Sequence, residues 1–401
     1  MIDLNTGPMI NIALISFLLL FNLIYTHKDF DLVFLFVNIH TWSLVFYLFF
    51  QSVLLNPMSY EIFFLILSYT SGFVIGYYLH YCKNKGSNII REEVNYKNLY
   101  RYNLIGFFIF LLAFLYELSY ASWVLPILAE NKLYAYYTFP TRFVHYLVVV
   151  GIAISGTFTY IAERYRYKRK TVYLIIVIIA CMFIAMLARA VLLAQVFTVI
   201  YVYLSQNKII LTWSKIFIFI FFILFFVVIL GTIRTSSDVG MLLEIGGMKD
   251  WPLWSLPFAW IYLYFTTSIE NFRDFAFLYS DDFKYGVSSF LSPISNILQI
   301  KGEGIFKIQQ IERSAGGFNT AGYYQSVFVD FGYLGYVYTT LLGYISRYLV
   351  NSNNIGIYLF SSFWSYAIFT SSINNYFNAF FTLVFLSYYL IVIKASKINV
   401  V

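Results

Sequence analysis

The chain has 401 residues, 61% of them apolar, 22% aromatic and only 11% charged, with a mean hydropathy of +0.74. A soluble globule of that composition would expose far more apolar surface than water tolerates, which excludes soluble enzymes and soluble binding modules. The net charge of +7 does not indicate nucleic acid, because the basic residues fall in short connections between apolar runs, the pattern that sets membrane topology.

Length divided into spans of about 20 residues allows roughly ten to twelve membrane helices. A closed barrel needs alternating polar and apolar residues, whereas the run 216–230 is apolar on every side. The expected fold is therefore all-α and polytopic. Apolar runs predict spans at 9–26, 32–54, 61–81, 103–123, 141–162, 171–187, 190–205, 214–233, 332–350, 355–373 and 377–394, about eleven in all. The first has no basic residue before it and no small-residue cleavage pattern after it, so it is expected to be a retained span. Cys82 and Cys181 are too few for a disulfide framework. The stretch from Thr171 to Ser205 is too long for one span, and Arg189 would sit in hydrocarbon near its middle. Two short helices with Arg189 at the turn are expected; one long tilted helix is the alternative.

Orientation follows from Lys and Arg in the connections. Lys83, Lys85, Arg91, Lys97 and Arg101 in one, and Arg164, Arg166, Lys168, Arg169 and Lys170 in another, assign both to the cytoplasm. Eleven spans then put the N-terminus outside and Lys394 and Lys397 inside. The chain divides into eight spans over 1–233, a large extracytoplasmic loop over 234–331, and three spans over 332–401. Within the loop, the aromatic run from Trp251 to Thr267 contains Pro252 and Pro257. It is expected to lie in the interface or dip back into the membrane, a twelfth span being the alternative.

Several ionisable groups fall at the outer level of this plan. Glu117 lies late in an outward span, and Arg142 and His145 start the next, three residues apart on one helical face. Arg189 is at an outer turn, Arg234 ends an outward span, Arg273 and Arg313 lie in the loop, and Asp330 precedes an inward span, where it could also cap the helix. Charged side chains in apolar helices cost about 2.5 to 3.5 kcal/mol on insertion scales, so they usually face polar cavities with partners. Outer arginines fit a phosphate or pyrophosphate ligand, because guanidinium is permanently charged and forks onto phosphate oxygens. Glu117, His145 and Asp330 are candidate general bases. No nucleotide-binding glycine loop, no Gly-x-Ser-x-Gly elbow and no metal-ligand spacing of Cys and His occurs, and Asp281-Asp282 is an adjacent pair without an Asp-x-Asp pattern, so neither a metal nor a nucleotide-activated donor is expected.

Leu187-Ala188-Arg189-Ala190-Val191-Leu192-Leu193, the late outer loop, Phe318-Asn319-Thr320, Asp330-Phe331-Gly332-Tyr333-Leu334-Gly335 and the Ser371–Phe380 turn together resemble the Wzy-type O-antigen polymerases. The resemblance implies a membrane-embedded, lipid-donor glycosyltransferase of the GT-C-like kind, without cofactor, in the bacterial inner membrane with its site facing the periplasm. Such enzymes join undecaprenyl-pyrophosphate-linked oligosaccharide repeat units, and a chain-length regulator protein and membrane lipids are the further partners implied. Arg189, Arg234 and Arg313 would hold the donor pyrophosphate, with Arg142 and Arg273 beside them, and Asp330, Glu117 or His145 would deprotonate the acceptor hydroxyl. Asn319, Thr320, Tyr323 and Tyr324 would bind sugars. The related O-antigen ligases are usually marked by a histidine in the large loop, and none lies between Arg234 and Asp330. A flippase, the non-enzyme alternative, would show duplicated halves.

Overall fold

A computed structural model describes residues 31–49, 52, 55–83, 93–141, 143–207, 229, 233, 243–244, 246–248, 250–252, 255–278, 283–287, 320, 322–377 and 379–397. Among them there is no strand, only one isolated bridge between Val94 and Lys397. The longer helices, in chain order, are α1 (Leu32–Phe49), α2 (Tyr60–Lys83), α3 (Tyr96–Tyr120), α4 (Lys132–Thr138), α5 (Val144–Val149), α6 (Gly151–Arg164), α7 (Arg169–Ala185), α8 (Arg189–Asn207), α9 (Leu256–Leu278), α10 (Tyr323–Phe331), α11 (Gly335–Val350), α12 (Ile355–Phe369) and α13 (Phe380–Ser396). Small polar side chains start several of them. The Asn95 carboxamide oxygen accepts from the amides of Lys97 and Asn98, Asp31 accepts from Phe34, and Asn354 accepts from Gly356.

Four segments, Tyr60–His80, Tyr96–Tyr120, Val144–Arg164 and Arg189–Asn207, are long and apolar enough to cross a bilayer. The protein is an all-helical membrane protein. Helices stand at every expected span that falls among the described residues; the expected span 9–26, and 214–233 apart from residues 229 and 233, lie outside them.

The chain forms two compact units. The second contains α3 to α8, most of α12 and nearly all of α13. Its helices alternate in direction. Tyr96 at the start of α3 stacks on Tyr165 just after α6, at 5.3 Å between centroids, and Glu163 at the end of α6 accepts from Arg169 at the start of α7 and from Asn207 at the end of α8. The end of α13 reaches the same level, where the Asn95 amide donates to the Ser396 carbonyl at 2.9 Å. All the basic side chains of the 164–170 connection gather at this end. At the opposite end lie the C-terminus of α3, the N-terminus of α5 and the turn between α7 and α8. That turn spans Met186–Ala188, with Leu187 at φ +55°, and the chain folds back sharply enough for the Gln195 carboxamide to donate to the Ile176 carbonyl at 3.0 Å. Arg189 thus opens a second helix.

The first unit contains α1, α2, α9, α10, most of α11 and the 367–380 segment. The α2 and α11 helices run parallel and almost touch. A Cβ on Gly72 would meet Thr339 Oγ1 at 2.5 Å and the Tyr336 carbonyl oxygen at 2.6 Å, Gly76 lies against the Thr340 backbone, and Gly343 lies against Phe73. Further along, Arg347 donates to the Tyr77 hydroxyl at 2.9 Å. Glycine is required here because two backbones occupy the space of one side chain.

The run expected from Trp251 to Thr267 is corrected. The helix begins at Leu256 and continues to Leu278, antiparallel to α1, with Ser52 near Tyr262 and Tyr47 on Glu270. It runs past Thr267 because its polar residues find partners inside the unit, so Glu270 and Arg273 belong to a packed helix and not to a polar loop. Asp330 is corrected too. It sits in the last turn of α10, fully buried, and Gly332 at φ +51° separates it from the next helix, so it lies within one helix and not at the start of the next.

Candidate active site

Glu117 follows Phe107, Phe110 and Phe114 along the buried stripe of α3, and the three-to-four spacing brings its carboxylate into the bundle instead of toward lipid. It is fully buried. Its Oε1 accepts the backbone amide of Thr141 at 2.9 Å, the Thr141 hydroxyl at 3.3 Å and His145 Nδ1 at 3.2 Å. Thr141 and His145 are one turn apart, joined by the His145 amide donating to the Thr141 carbonyl at 3.1 Å. Phe143 between them has φ +59°, a conformation costing on the order of 1–3 kcal/mol in a residue with a side chain; the Glu117 contacts to both flanking residues help to hold it.

The side chain of His145 is 27% exposed while that of Glu117 is 0% exposed. An ionised carboxylate on Nδ1 holds the proton there and leaves the Nε2 lone pair outward, the tautomer a general base requires. Among the described residues no polar group contacts Nε2. The carboxylate thus sits behind the imidazole, and the open nitrogen of His145 faces away from it. Arg189, half-buried, lies at this same end of the unit, opposite the basic connection.

The other predicted residues divide. Arg142, Arg234, Arg313 and Asn319 lie outside the described residues. Arg273 pairs with Glu270 at 3.2 Å and Asp274 at 3.1 Å in the first unit. Tyr323 and Tyr324 are fully buried and Thr320 is 3% exposed; a sugar-stacking platform needs an open ring face, and neither tyrosine offers one. Thr320 instead shares a hydrogen with Thr267 at 2.8 Å, and its carbonyl accepts from Asn271 at 2.8 Å. Asp330 is fully buried in α10.

A second polar cluster, absent from the sequence expectations, fills the first unit. The Tyr324 hydroxyl contacts His40 Nδ1, and His40 Nε2 lies 3.0 Å from Ser371 Oγ, which itself donates to the Ile368 carbonyl at 2.7 Å. Burial pushes the Tyr324 phenol well above its ordinary value, so it stays a donor. Hydrogens then run one way, from Tyr324 to His40 to Ser371 to the Ile368 carbonyl. With its proton committed to a carbonyl and its lone pair facing an N–H, Ser371 is not activated as a nucleophile. Nearby, Glu270 accepts from Tyr47, from Asn56 Nδ2 at 2.6 Å and from Arg273. The signal that selected Glu117, an ionisable residue in an apolar helix, applied equally to His40.

No protein-family model, no curated protein and no solved structure matches this chain. Among the described residues, no three His, Cys, Asp or Glu side chains converge as a metal site would require.

Proposed function

We propose that the protein is a membrane-embedded glycosyltransferase that polymerises oligosaccharide repeat units carried on undecaprenyl pyrophosphate, as in O-antigen synthesis, at the periplasmic face of a bacterial inner membrane. The observation that carries this reading is the Glu117–Thr141–His145 assembly at the end of the second unit that also holds Arg189 and lies away from the basic connection. Basic connections stay in the cytoplasm, so this end faces outward, where lipid-linked repeat units meet. The parallel course of α2 and α11 fits the same plan, in which spans 61–81 and 332–350 both run inward.

The reaction needs two groups from the protein. The acceptor hydroxyl oxygen attacks the anomeric carbon of the donor, His145 Nε2 takes the hydroxyl proton, and the anomeric carbon–oxygen bond to the pyrophosphate breaks. Undecaprenyl pyrophosphate leaves as an anion. Arg189 meets that charge, and stabilising the leaving group is the larger catalytic contribution; Glu117 stabilises the imidazolium formed alongside.

Purified protein incubated with lipid-linked repeat units alone should give a ladder of glycan lengths. Transfer only after lipid A core is added would convert the reading to a ligase, and movement across liposomes without new linkages would convert it to a flippase. Arg189→Lys should shorten the ladder despite the retained charge, because an ammonium cannot fork onto two phosphate oxygens. An unchanged ladder would remove Arg189 from the site.

A further inference from the structure

Among the described residues, seven other than glycine have positive φ. Six of them are accounted for by the turns they make. Ser122 and Trp123 close α3, where the Trp123 amide donates to the Leu118 carbonyl at 2.8 Å, and Leu187 closes α7 in the same way, with the Ala188 amide donating to the Phe183 carbonyl at 3.0 Å. Tyr285 turns the chain together with Gly286, and the Val287 amide donates to the Lys284 carbonyl at 3.0 Å. Arg166 and Lys168 bend the short connection before α7, Arg166 held by Glu163 at 3.3 Å and Lys168 lying 4.8 Å from the Tyr100 ring centroid. Phe143 is different.

Its angles, φ +59° and ψ −50°, fall outside the left-handed helical region and close to the γ-turn of positive φ, which is rare and strained. The turn itself serves Glu117, since it lets Thr141 and His145 on either side both reach that carboxylate. Glycine would make the same turn without a Cβ penalty. The residue present instead carries a large apolar ring and is 54% exposed, so burial in the fold does not account for it. A backbone that disfavours every side chain, occupied by a large and open one beside a candidate base, marks a ring used for contact with something outside the fold.

We infer that Phe143 is a substrate contact and that its ring stacks on the acceptor saccharide. The identity of the ligand rests on the polymerase reading above, in which His145 Nε2 takes the proton of an acceptor hydroxyl. Phe143 lies two residues from His145 in the same turn, placed to meet the sugar ring that carries that hydroxyl. Sugars present apolar C–H faces with hydroxyls at their edges; a phenyl face matches the first and leaves the second free to reach Nε2. Phe143 has the open ring that the buried Tyr323 and Tyr324 lack. The preceding helix α4 and its flank expose Glu130, Asn131, Tyr134, Tyr137 and Thr138, a mixture of polar and aromatic groups suited to a hydroxylated ligand. The exposed side of α3 carries Ile105, Phe108, Ile109 and Leu112 instead, the surface that hydrocarbon chains require.

The test compares Phe143→Gly, Phe143→Leu and Phe143→Trp in the full-length protein in detergent, with two readouts that need no activity. Phe143→Gly should raise the thermal transition, because glycine releases the strain; a transition that fails to rise would mean that packing holds the ring, and would overturn the proposal. The binding probe is the oligosaccharide released by mild acid from lipid-linked repeat units, followed by saturation-transfer NMR. Transfer to its C–H protons should fall several-fold in Phe143→Leu and Phe143→Gly and persist in Phe143→Trp. In elongation, the concentration of lipid-linked units giving half the maximal rate should rise several-fold in the first two variants, with the maximal rate little changed. Binding retained in Phe143→Leu and lost only in Phe143→Gly would show that bulk suffices without a flat face, and would overturn saccharide stacking. Binding that depends on Phe143 in a protein that makes no ladder would uphold this inference and refute the polymerase reading. A ladder with binding and elongation unchanged in Phe143→Leu and Phe143→Gly would do the reverse.

Discussion

Glu117→Gln separates a catalytic carboxylate from a structural one. Three donors converge on Glu117 Oε1: the Thr141 amide at 2.9 Å, the Thr141 hydroxyl at 3.3 Å and His145 Nδ1 at 3.2 Å. A carboxamide keeps the volume, and its oxygen in the Oε1 position still accepts from Thr141 and Nδ1, but it carries no charge, and its NH₂ group takes the Oε2 position 3.3 Å from the same ring nitrogen. The ring is then no longer held in one tautomer by a charge, and an imidazolium formed there loses its counter-ion. Removing a general base costs on the order of 10²–10⁴ in rate, whereas weakening one charge-assisted hydrogen bond to a neutral one costs about 1 kcal/mol of stability. Glu117→Ala differs, because it orphans the buried Thr141 amide at about 1–3 kcal/mol and leaves a cavity. The assays are ladder formation per mole of folded protein and thermal unfolding in detergent. The expected pattern is loss of elongation in both variants and a transition lowered further in the alanine variant than in the glutamine one. Full elongation by Glu117→Gln would refute the general-base role and leave Glu117 as an interhelical tie.

Other perturbations probe the framework. Gly76→Ala should lower stability by about 1–3 kcal/mol, because its Cβ would collide with the Thr340 backbone; Gly356→Ala, whose nearest neighbour is at 3.0 Å, should cost less, and equal transitions for the two would contradict the close α2–α11 approach. His40→Phe should destabilise by about 1–3 kcal/mol through the orphaned Tyr324 hydroxyl while elongation per folded molecule is retained; an intact fold with lost elongation would make His40 catalytic. With the native cysteines replaced, Tyr137→Cys should react with an impermeant thiol reagent from outside intact cells and Lys170→Cys only after permeabilisation, since Tyr137 and Lys170 lie toward opposite ends of the second unit. The reverse order of labelling would invert the proposed sidedness.

The helices were legible because apolar length and polar caps are local properties. The break at Arg189 was legible for the same reason, since an arginine in mid-hydrocarbon is costly enough to force a turn. Helix α9 was misjudged because Thr266, Thr267, Ser268, Glu270 and Asn271 look like the end of an apolar run, and only tertiary partners make them interior residues. The sequence placed Glu117 and His145 at one level, but not their contact, which depends on a distance that only the packed helices fix. Tyr323 and Tyr324 misled for the converse reason: aromatic residues beside Asn319 and Thr320 suggest a sugar platform until burial shows both rings enclosed.

Two buried carboxylates among the described residues of the second unit differ in their partners, and the difference favours the proposed site at the Glu117 end. Glu163 is 5% exposed and accepts from Arg169 at 2.7 Å, Arg166 at 3.3 Å, Tyr173 at 2.7 Å and Asn207 at 2.8 Å. Guanidinium groups cannot release their protons, so that charge is permanently neutralised, and the four contacts tie α6, α7 and α8 together. Glu117 is equally buried, yet among the described residues its ionisable partner is a histidine, whose charge is optional, and that imidazole is partly open. A carboxylate meant only to hold helices is best served by a fixed cation, as at Glu163. Pairing one with a group able to gain and lose a proton leaves the pair less stable at rest, and it becomes favourable when a proton arrives at Nε2, as the proposed reaction requires.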